Sequence, residues 1–450
     1  MKKRFTAGRV GVTGMETLFD TRARWQCWLD VEAALARAQA DLGLIPAPAG
    51  PAIARACQLS RLELDRVHAE IDRTSHPLMP LVVELGRAVG AAYGGWVHWG
   101  ATTQNITQTG DTLLLRHACT LIRNQLTAVL GALADRTDRG ADMIMAGRTH
   151  GQHAVPITFG YKSAAWIDEY LRHIQRLDQL APRLFVALLG GAAGTSASFG
   201  DDPGRLQHVV ASYLGLTPMA VPSRAICDHN AELVTTLGLI ATTSGKIGRE
   251  IYQLMKTEYQ EAEEPVPVGT VGSSTMPHKR NPQLCQDIIG ITNEIRALVP
   301  LALESTLSEH EADNAPSALF DTQQRACELT AEALARVQIV VAGLRLNPDR
   351  MRRNLDDSTG MIASEAIMLR LGRILGRQTA HEIVYDAAQA AATTSASFTD
   401  ILAADARVTS HLDARALSQL LEPGTHLGRA SAIAREQAAR AREAIDEPDM

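Results

Sequence analysis

Apolar residues recur three and four positions apart through the middle of the chain. One run reads Leu233, Leu237, Ile240, Ile247, Ile251 and Leu254, with the small Ser244 filling its gap. The same stripe returns at Leu284, Ile288, Ile291, Ile295 and Leu298, and at Ile122, Leu126, Val129 and Leu133. It returns again at Ile167, Leu171, Ile174 and Leu177, and at Leu334, Val337, Val341 and Leu344. A stripe of this period turns one face of a helix toward its neighbours. Five such segments, with a seam near 3.5 residues, predict a bundle of long helices. Alternating period-two runs joined by Asn-Gly or Asp-Gly turns are absent, so the pattern predicts an all-α protein.

The pattern divides the chain into three helical regions. Residues 1–105 carry shorter helices interrupted by Pro46, Pro48, Pro51, Pro77 and Pro80. Residues 106–353 hold the long-helix bundle. Residues 354–450 shorten again, punctuated by Gly360 and the Glu422-Pro-Gly-Thr turn. No internal repeat is visible. Long helices with a stripe left over for partners predict an oligomer.

Composition narrows the class further. The 450 residues are 46% apolar but only 4% aromatic, which suits helices packed closely through small aliphatic side chains. A net charge of −6 argues against a protein that coats nucleic acid or a membrane surface. The six cysteines (Cys27, Cys57, Cys119, Cys227, Cys285, Cys327) include no C-x-x-C pair, which favours a reducing compartment over disulfides or a zinc cluster. The basic start is followed by no apolar run, and no stretch approaches the ~18 apolar residues of a membrane span. A soluble, cytoplasmic protein is the expectation.

Chemistry concentrates between two of the long helices. Pro265, Pro267, Gly269 and Gly272 exclude helix from the stretch that ends at Asn281 and Pro282. A long irregular loop inside a helical protein suggests a functional lid. Asn281 followed by Pro282 predicts a helix start, with Asn at the N-cap and Pro at the first helical position. Ser273, Ser274, Lys279 and Asn281 then lie beside a helix N-terminus. A cation, amide donors and a positive dipole end together predict a carboxylate site.

The run Gly272-Ser-Ser-Thr-Met-Pro-His-Lys-Arg-Asn-Pro282 resembles the G-S-S-x-M-P-x-K-x-N signature of the fumarase/aspartase superfamily. Gly147-Arg-Thr-His-Gly-Gln-His153 is similar to its G-R-T-H block, and Trp96-Val-His-Trp-Gly-Ala-Thr-Thr-Gln-Asn105 to its V-H-x-G-x-T-S-x-D block. The blocks fall in the family's order, and the resemblance runs from about Met15 to the C-terminal helices. It implies three helical domains whose central five-helix bundles associate as a twenty-helix core in a homotetramer, each active site drawing on three subunits. It also implies elimination of a group β to a carboxylate, or the reverse addition, on a small dicarboxylate and without metal or organic cofactor. Ser273 then matches the base that takes the proton beside the carboxylate, and His150 the acid-side histidine, with His153 as the alternative. His76, in Thr74-Ser-His-Pro, falls where the adenylosuccinate-lyase branch has its other catalytic histidine.

The residues support that chemistry by themselves. Proton abstraction places a second negative charge on one carboxylate, and Lys279, Asn281, Thr102 and Thr103 are cations and donors suited to it. A serine acts as a base only where its alkoxide is stabilised, and a protonated histidine suits the leaving group near neutral pH. The bland readings stand beside these. Ser273 and Ser274 by themselves read as loop serines, and Thr102, Thr103 and Gln104 as helix caps. Arg148 reads equally as a residue that orients the site or one that touches substrate. His98, His229 and His278 have structural readings of equal weight.

Departures from the family pattern narrow the substrate. The signature usually continues to a Glu five residues beyond the Asn, where this chain has Gln286; muconate cycloisomerases also lack that Glu. Residues 10–15 hold no Arg-Tyr for a nucleotide phosphate, residues 307–316 are acidic, and the Ser223-Arg-Ala-Ile-Cys-Asp-His229 block lacks the Gln and both Arg of Q-x-x-x-R-D-R. These features argue against adenylosuccinate, and the Leu420-Leu-Glu-Pro-Gly-Thr-His-Leu-Gly428 stretch resembles the 3-carboxy-cis,cis-muconate cycloisomerase branch. The expected function is β-elimination from an N-substituted aspartate or another β-substituted succinate, with release of fumarate. A muconate cycloisomerase is the second reading, and a non-catalytic structural protein on the same scaffold is the third.

Overall fold

The computed structural model describes residues 4–11, 13–311 and 315–446, with side chains from residue 319 onward in the last of these. Val12, within residues 10–15, and residues 312–314, within the acidic 307–316 stretch, lie outside the described residues.

The five apolar stripes are five long helices: Thr103–Arg139, Phe159–Leu184, Asp228–Leu254, Gln283–Glu304 and Ala315–Gly343. Ile122, Leu126, Val129 and Leu133 are fully buried, as are Leu233, Leu237, Ile240, Ile247 and Ile251. The helices pack in a ring, each against neighbours along the stripe that the sequence marks. Small residues bring them close. At Gly248 a Cβ would stand 2.9 Å from Ile288, and at Gly245 2.7 Å from Thr292. The fold is all-α and multi-domain.

Shorter helices precede the bundle, and proline sets where they begin. Pro48 lies just before the helix Ala49–Ala56, and Pro80 occupies the first turn of Met79–Val89, where a missing N–H costs nothing. One hydrophobic core runs from Met15 to Met351 and takes in Ala438 and Ala441 of the last helix, Ala430–Asp446. That helix returns to pack on Thr103–Arg139 and Phe159–Leu184. A separate cluster, from Ile367 to Leu417, gathers Phe398 and Leu402 against Ile383 and Leu371. No described helix is long and apolar enough to cross a membrane.

Two features depart from the sequence reading. An antiparallel hairpin joins Ile144–Thr149 to Gln152–Thr158 between the first two long helices. Its turn is His150-Gly151, with φ of 53° and 76°, a type I′ arrangement formed without Asn-Gly or Asp-Gly. Secondly, the helix after the signature loop begins at Gln283, one residue later than expected. Pro282 holds the cap position, and Asn281 makes no cap. Its side-chain amide instead donates to the carbonyl of Gly272.

Candidate active site

The signature loop is pinched at its waist. At Gly272 a Cβ would fall 2.1 Å from the carbonyl oxygen of Lys279, so only glycine allows the two strands of the loop to close there. The Asn281 amide bonds the same Gly272 carbonyl and fixes the crossing. Ser273 follows immediately. Its Oγ accepts hydrogen bonds from the backbone N–H groups of Met276 (3.1 Å) and Thr275 (3.3 Å). Ser274 and Lys279 are exposed, and the Lys279 ammonium has no hydrogen-bond or ion-pair partner among the described residues.

The helix end beside the loop is already occupied. Glu264, fully buried, accepts from the N–H of Leu284 (3.0 Å) and of Cys285 (2.9 Å). It therefore satisfies two of the orphan donors that the sequence reading left for a substrate carboxylate. Burial raises the Glu264 carboxyl above its ordinary value, against the lowering pull of those N–H groups and of Arg9. Past the loop an open cleft of about 1140 Å³ is lined by Lys256, His278, Lys279, Asn281 and Gln286, with Tyr252 and Asn347 on its far side. Gln286 faces this cleft and is exposed, while its neighbour Asp287 turns inward to Thr6.

Arg148 and the two candidate acid-side histidines belong to the hairpin. The left-handed turn places His150 at the exposed tip. Gly147 sits where the strand register shifts, and a Cβ there would meet the Val155 carbonyl at 2.7 Å. Arg148 points back toward the bundle, donates to both oxygens of the buried Glu261 (2.9 and 2.6 Å) and lies over the ring of Tyr259. Asn354 completes the set with a 2.8 Å bond to Glu261. Both terminal nitrogens of the Arg148 guanidinium are thereby engaged within the chain. His153 is opposite Arg148 in the register, and partial burial, followed by that positive charge, lowers its pKa.

The third group stands at the start of the first long helix. Thr102 is the N-cap residue, and its N–H bonds the side chain of Asn105 (3.2 Å), which also holds the N–H of Gly191 (3.0 Å). Gln104 keeps a buried oxygen without a partner. His76 reaches Thr103 at 3.5 Å through Nε2. Its Nδ1 accepts from the N–H of Met79 (3.0 Å) and Leu78 (3.3 Å), so the neutral ring carries its proton on Nε2, toward the threonine. His98 is spoken for by buried Glu32, 2.6 Å away. Burial opposes its charge, but the hydrogen bond and the charge of Glu32 outweigh that and raise its pKa. Burial lowers the pKa of His229, which bonds Asn230.

One chain thus brings His76 together with Thr102 and Thr103, and Lys279 together with Asn281 and Gln286. Among the described residues no hydrogen bond or ion pair joins His150, the Thr102 block and Ser273. Sequence reasoning missed Glu261, Glu264 and Arg9. The one signal for the first two was the acidic run Glu261-Ala-Glu-Glu264 directly before the proline-rich loop.

The chain matches the sequence model of a family described as lyase over residues 10–296. It matches a second, the adenylosuccinate lyase C-terminus, over residues 360–436. It belongs to the fumarase/aspartase superfamily. Among similar superfamily proteins, adenylosuccinate lyase from Methanothermobacter thermautotrophicus is 38% identical across 94% of this chain and 95% of its own. N-acetyl-S-(2-succino)cysteine lyase from Dickeya dadantii is 35% identical across 93% and 92%. The crystal structure of 3-carboxy-cis,cis-muconate lactonizing enzyme from Pseudomonas putida superposes with a TM-score of 0.88 at 34% identity, covering 98% and 99%. Membership makes the protein an enzyme, a lyase or a cycloisomerase.

Proposed function

We propose that the protein eliminates a nitrogen-bonded group from an N-substituted aspartate, or from another β-substituted succinate, and releases fumarate. The observation that carries this reading is the pair of backbone N–H groups aimed at Ser273 Oγ. Two fixed donors stabilise an alkoxide there, which is what a serine base requires. Ser273 takes the proton from the carbon beside a carboxylate held by Lys279, with Ser274, Thr102, Thr103 and Gln104 as further donors. Asn281 serves the same end by closing the loop. His150, or His153 from the same hairpin, protonates the departing atom, oriented by Gln286, and His76 acts through the hydroxyl of Thr103. No metal or organic cofactor enters these steps.

Among the described residues no hydrogen bond or ion pair joins the three groups within one chain, and the reading includes a homotetramer with a twenty-helix core in which each site draws on three subunits. The domain breaks near residues 105 and 353 belong to the same proposal. The names of two relatives support the substrate class, since both are lyases of compounds bearing a succino group. The test is incubation of the purified protein with a panel of N-substituted aspartates and β-substituted succinates, following fumarate in the ultraviolet. Absence of fumarate across the panel overturns the proposal.

Gln286 favours a second reading, because muconate cycloisomerases also lack a Glu at that position, and the fold match to the lactonizing enzyme is extensive. In that case a ring carboxylate adds across a muconate double bond. Loss of muconate absorbance with formation of a lactone distinguishes it.

A further inference from the structure

The signature loop leaves one long helix and enters the next. Its ends are joined at the surface by Arg280 and Glu263 (2.8 Å) and in the interior by one buried side chain. Glu264 stands at the loop's first residues, yet its two oxygens bind N–H groups of Leu284 and Cys285, beyond the loop's last. Pro282 caps nothing, so Glu264 is the cap for the helix Gln283–Glu304. The carboxylate is fully buried, and its counter-ion comes from the N-terminal segment: Arg9 lies 3.9 Å from Glu264 and also donates to the carbonyl of Pro265. Arg9 is held in turn by its own segment. Thr6, three residues earlier, donates to Asp287 through its hydroxyl (2.6 Å) and its N–H (3.2 Å), and the buried Arg336 donates to Thr6 (2.9 Å). The N-terminal segment is thereby fastened to the second turn of the helix that Glu264 caps.

We propose that Glu264 is a positioning residue for Ser273, a latch that fixes the two stems of the signature loop with Arg9 as its charge partner. The inference rests on the reading of Ser273 as the base. The path is short: the latch sets the separation of the stems, the Gly272–Asn281 crossing closes the waist, and Ser273 follows at once. Misplacing a reacting group by about 1 Å costs roughly 10²-fold in rate. An amide in place of the carboxylate keeps one acceptor, turns an NH2 group toward the second N–H, and removes the charge that Arg9 faces.

The test compares wild type, Glu264→Gln, Ser273→Ala and the double variant as assembled protein. It uses kcat on a fumarate-releasing substrate and amide hydrogen exchange resolved by segment. Glu264→Gln is expected to lower kcat between about 10- and 100-fold and to speed exchange within residues 265–285 alone. In the Ser273→Ala background the same change is expected to cost no further activity, because the latch acts only through that serine. Wild-type exchange in the loop, exchange accelerated throughout the molecule, or an equal further loss in the double variant overturns the proposal. If Glu264→Gln does not fold, Arg9→Ala decides by the same readouts, with a smaller effect of the same kind expected. If no substrate is turned over by wild type, the function reading fails by itself, and local exchange still decides the latch.

Discussion

The guanidinium of Arg148 meets the carboxylate of Glu261 fork to fork, through bonds of 2.9 and 2.6 Å, across a sequence separation of 113 residues. Glu261 is fully buried, and Asn354 supplies it with one more donor. The pair therefore fastens the hairpin that carries His150 to the segment that opens the Ser273 loop. Arg148→Ala leaves a buried charge short of its partner and is expected to cost roughly 3–5 kcal/mol. Arg148→Lys keeps the charge but loses the fork, so an intermediate loss is expected together with reduced kcat. Denaturant unfolding and steady-state kinetics on both variants check this, and wild-type stability in Arg148→Ala would refute it.

Ser273→Ala removes the oxygen that the two N–H groups of Thr275 and Met276 address. Turnover is expected to fall by about 10²–10⁴-fold or more, the range for loss of a general base. Exchange of the substrate's carbon-bound hydrogen with deuterated water should vanish in parallel, while thermal stability and assembly stay as in wild type. Persistent exchange would remove Ser273 from the role of base.

A carboxylate restored at position 286 tests the acid side. Gln286→Glu places a negative charge on the cleft wall, and a nearby negative charge favours imidazolium. The basic limb of the pH–kcat profile is expected to move upward by about one unit. A profile unmoved by the substitution would show that residue 286 does not face the acid histidine in the assembled enzyme.

His173 provides a pH signature independent of catalysis. It is buried in the bundle, bonded to Thr243 at 2.9 Å and to Arg176 at 3.1 Å. Burial, then the charge of Arg176, lowers its pKa to about 4, with Arg172 and Lys246 acting in the same direction and Glu169 against them. The unfolded chain therefore binds a proton that the folded chain refuses between about pH 6.5 and 4. This contribution is complete above about pH 6.5 and is lost as pH falls toward 4, by roughly 3 kcal/mol. Calorimetry across that range should show a shallower fall for His173→Gln, and an identical slope would contradict the assignment.

The long helices were legible because their stripes are local: Leu233 to Leu254 repeat at helical spacing, and burial follows the repeat residue by residue. The signature loop was legible because its prolines and glycines exclude helix. The hairpin was not, since a His-Gly turn carries no common hairpin signal and burial along Ile144–Thr149 does not alternate. The expected Asn281 cap failed for a related reason. Asn281 is a good cap by residue type, but the Gly272 carbonyl claims its amide, and Glu264, from the far side of the loop, takes the helix N–H groups instead.

From the sequence alone came the helical class, the five long helices and the superfamily. Each of these is encoded in spacing along the chain. Tertiary structure decided which polar group satisfies which buried partner: Arg148 with Glu261, Thr6 with Asp287, Glu264 with a helix end some twenty residues away. A buried charge or N–H must find a partner somewhere, and sequence does not say where, because the partner is chosen by proximity in space.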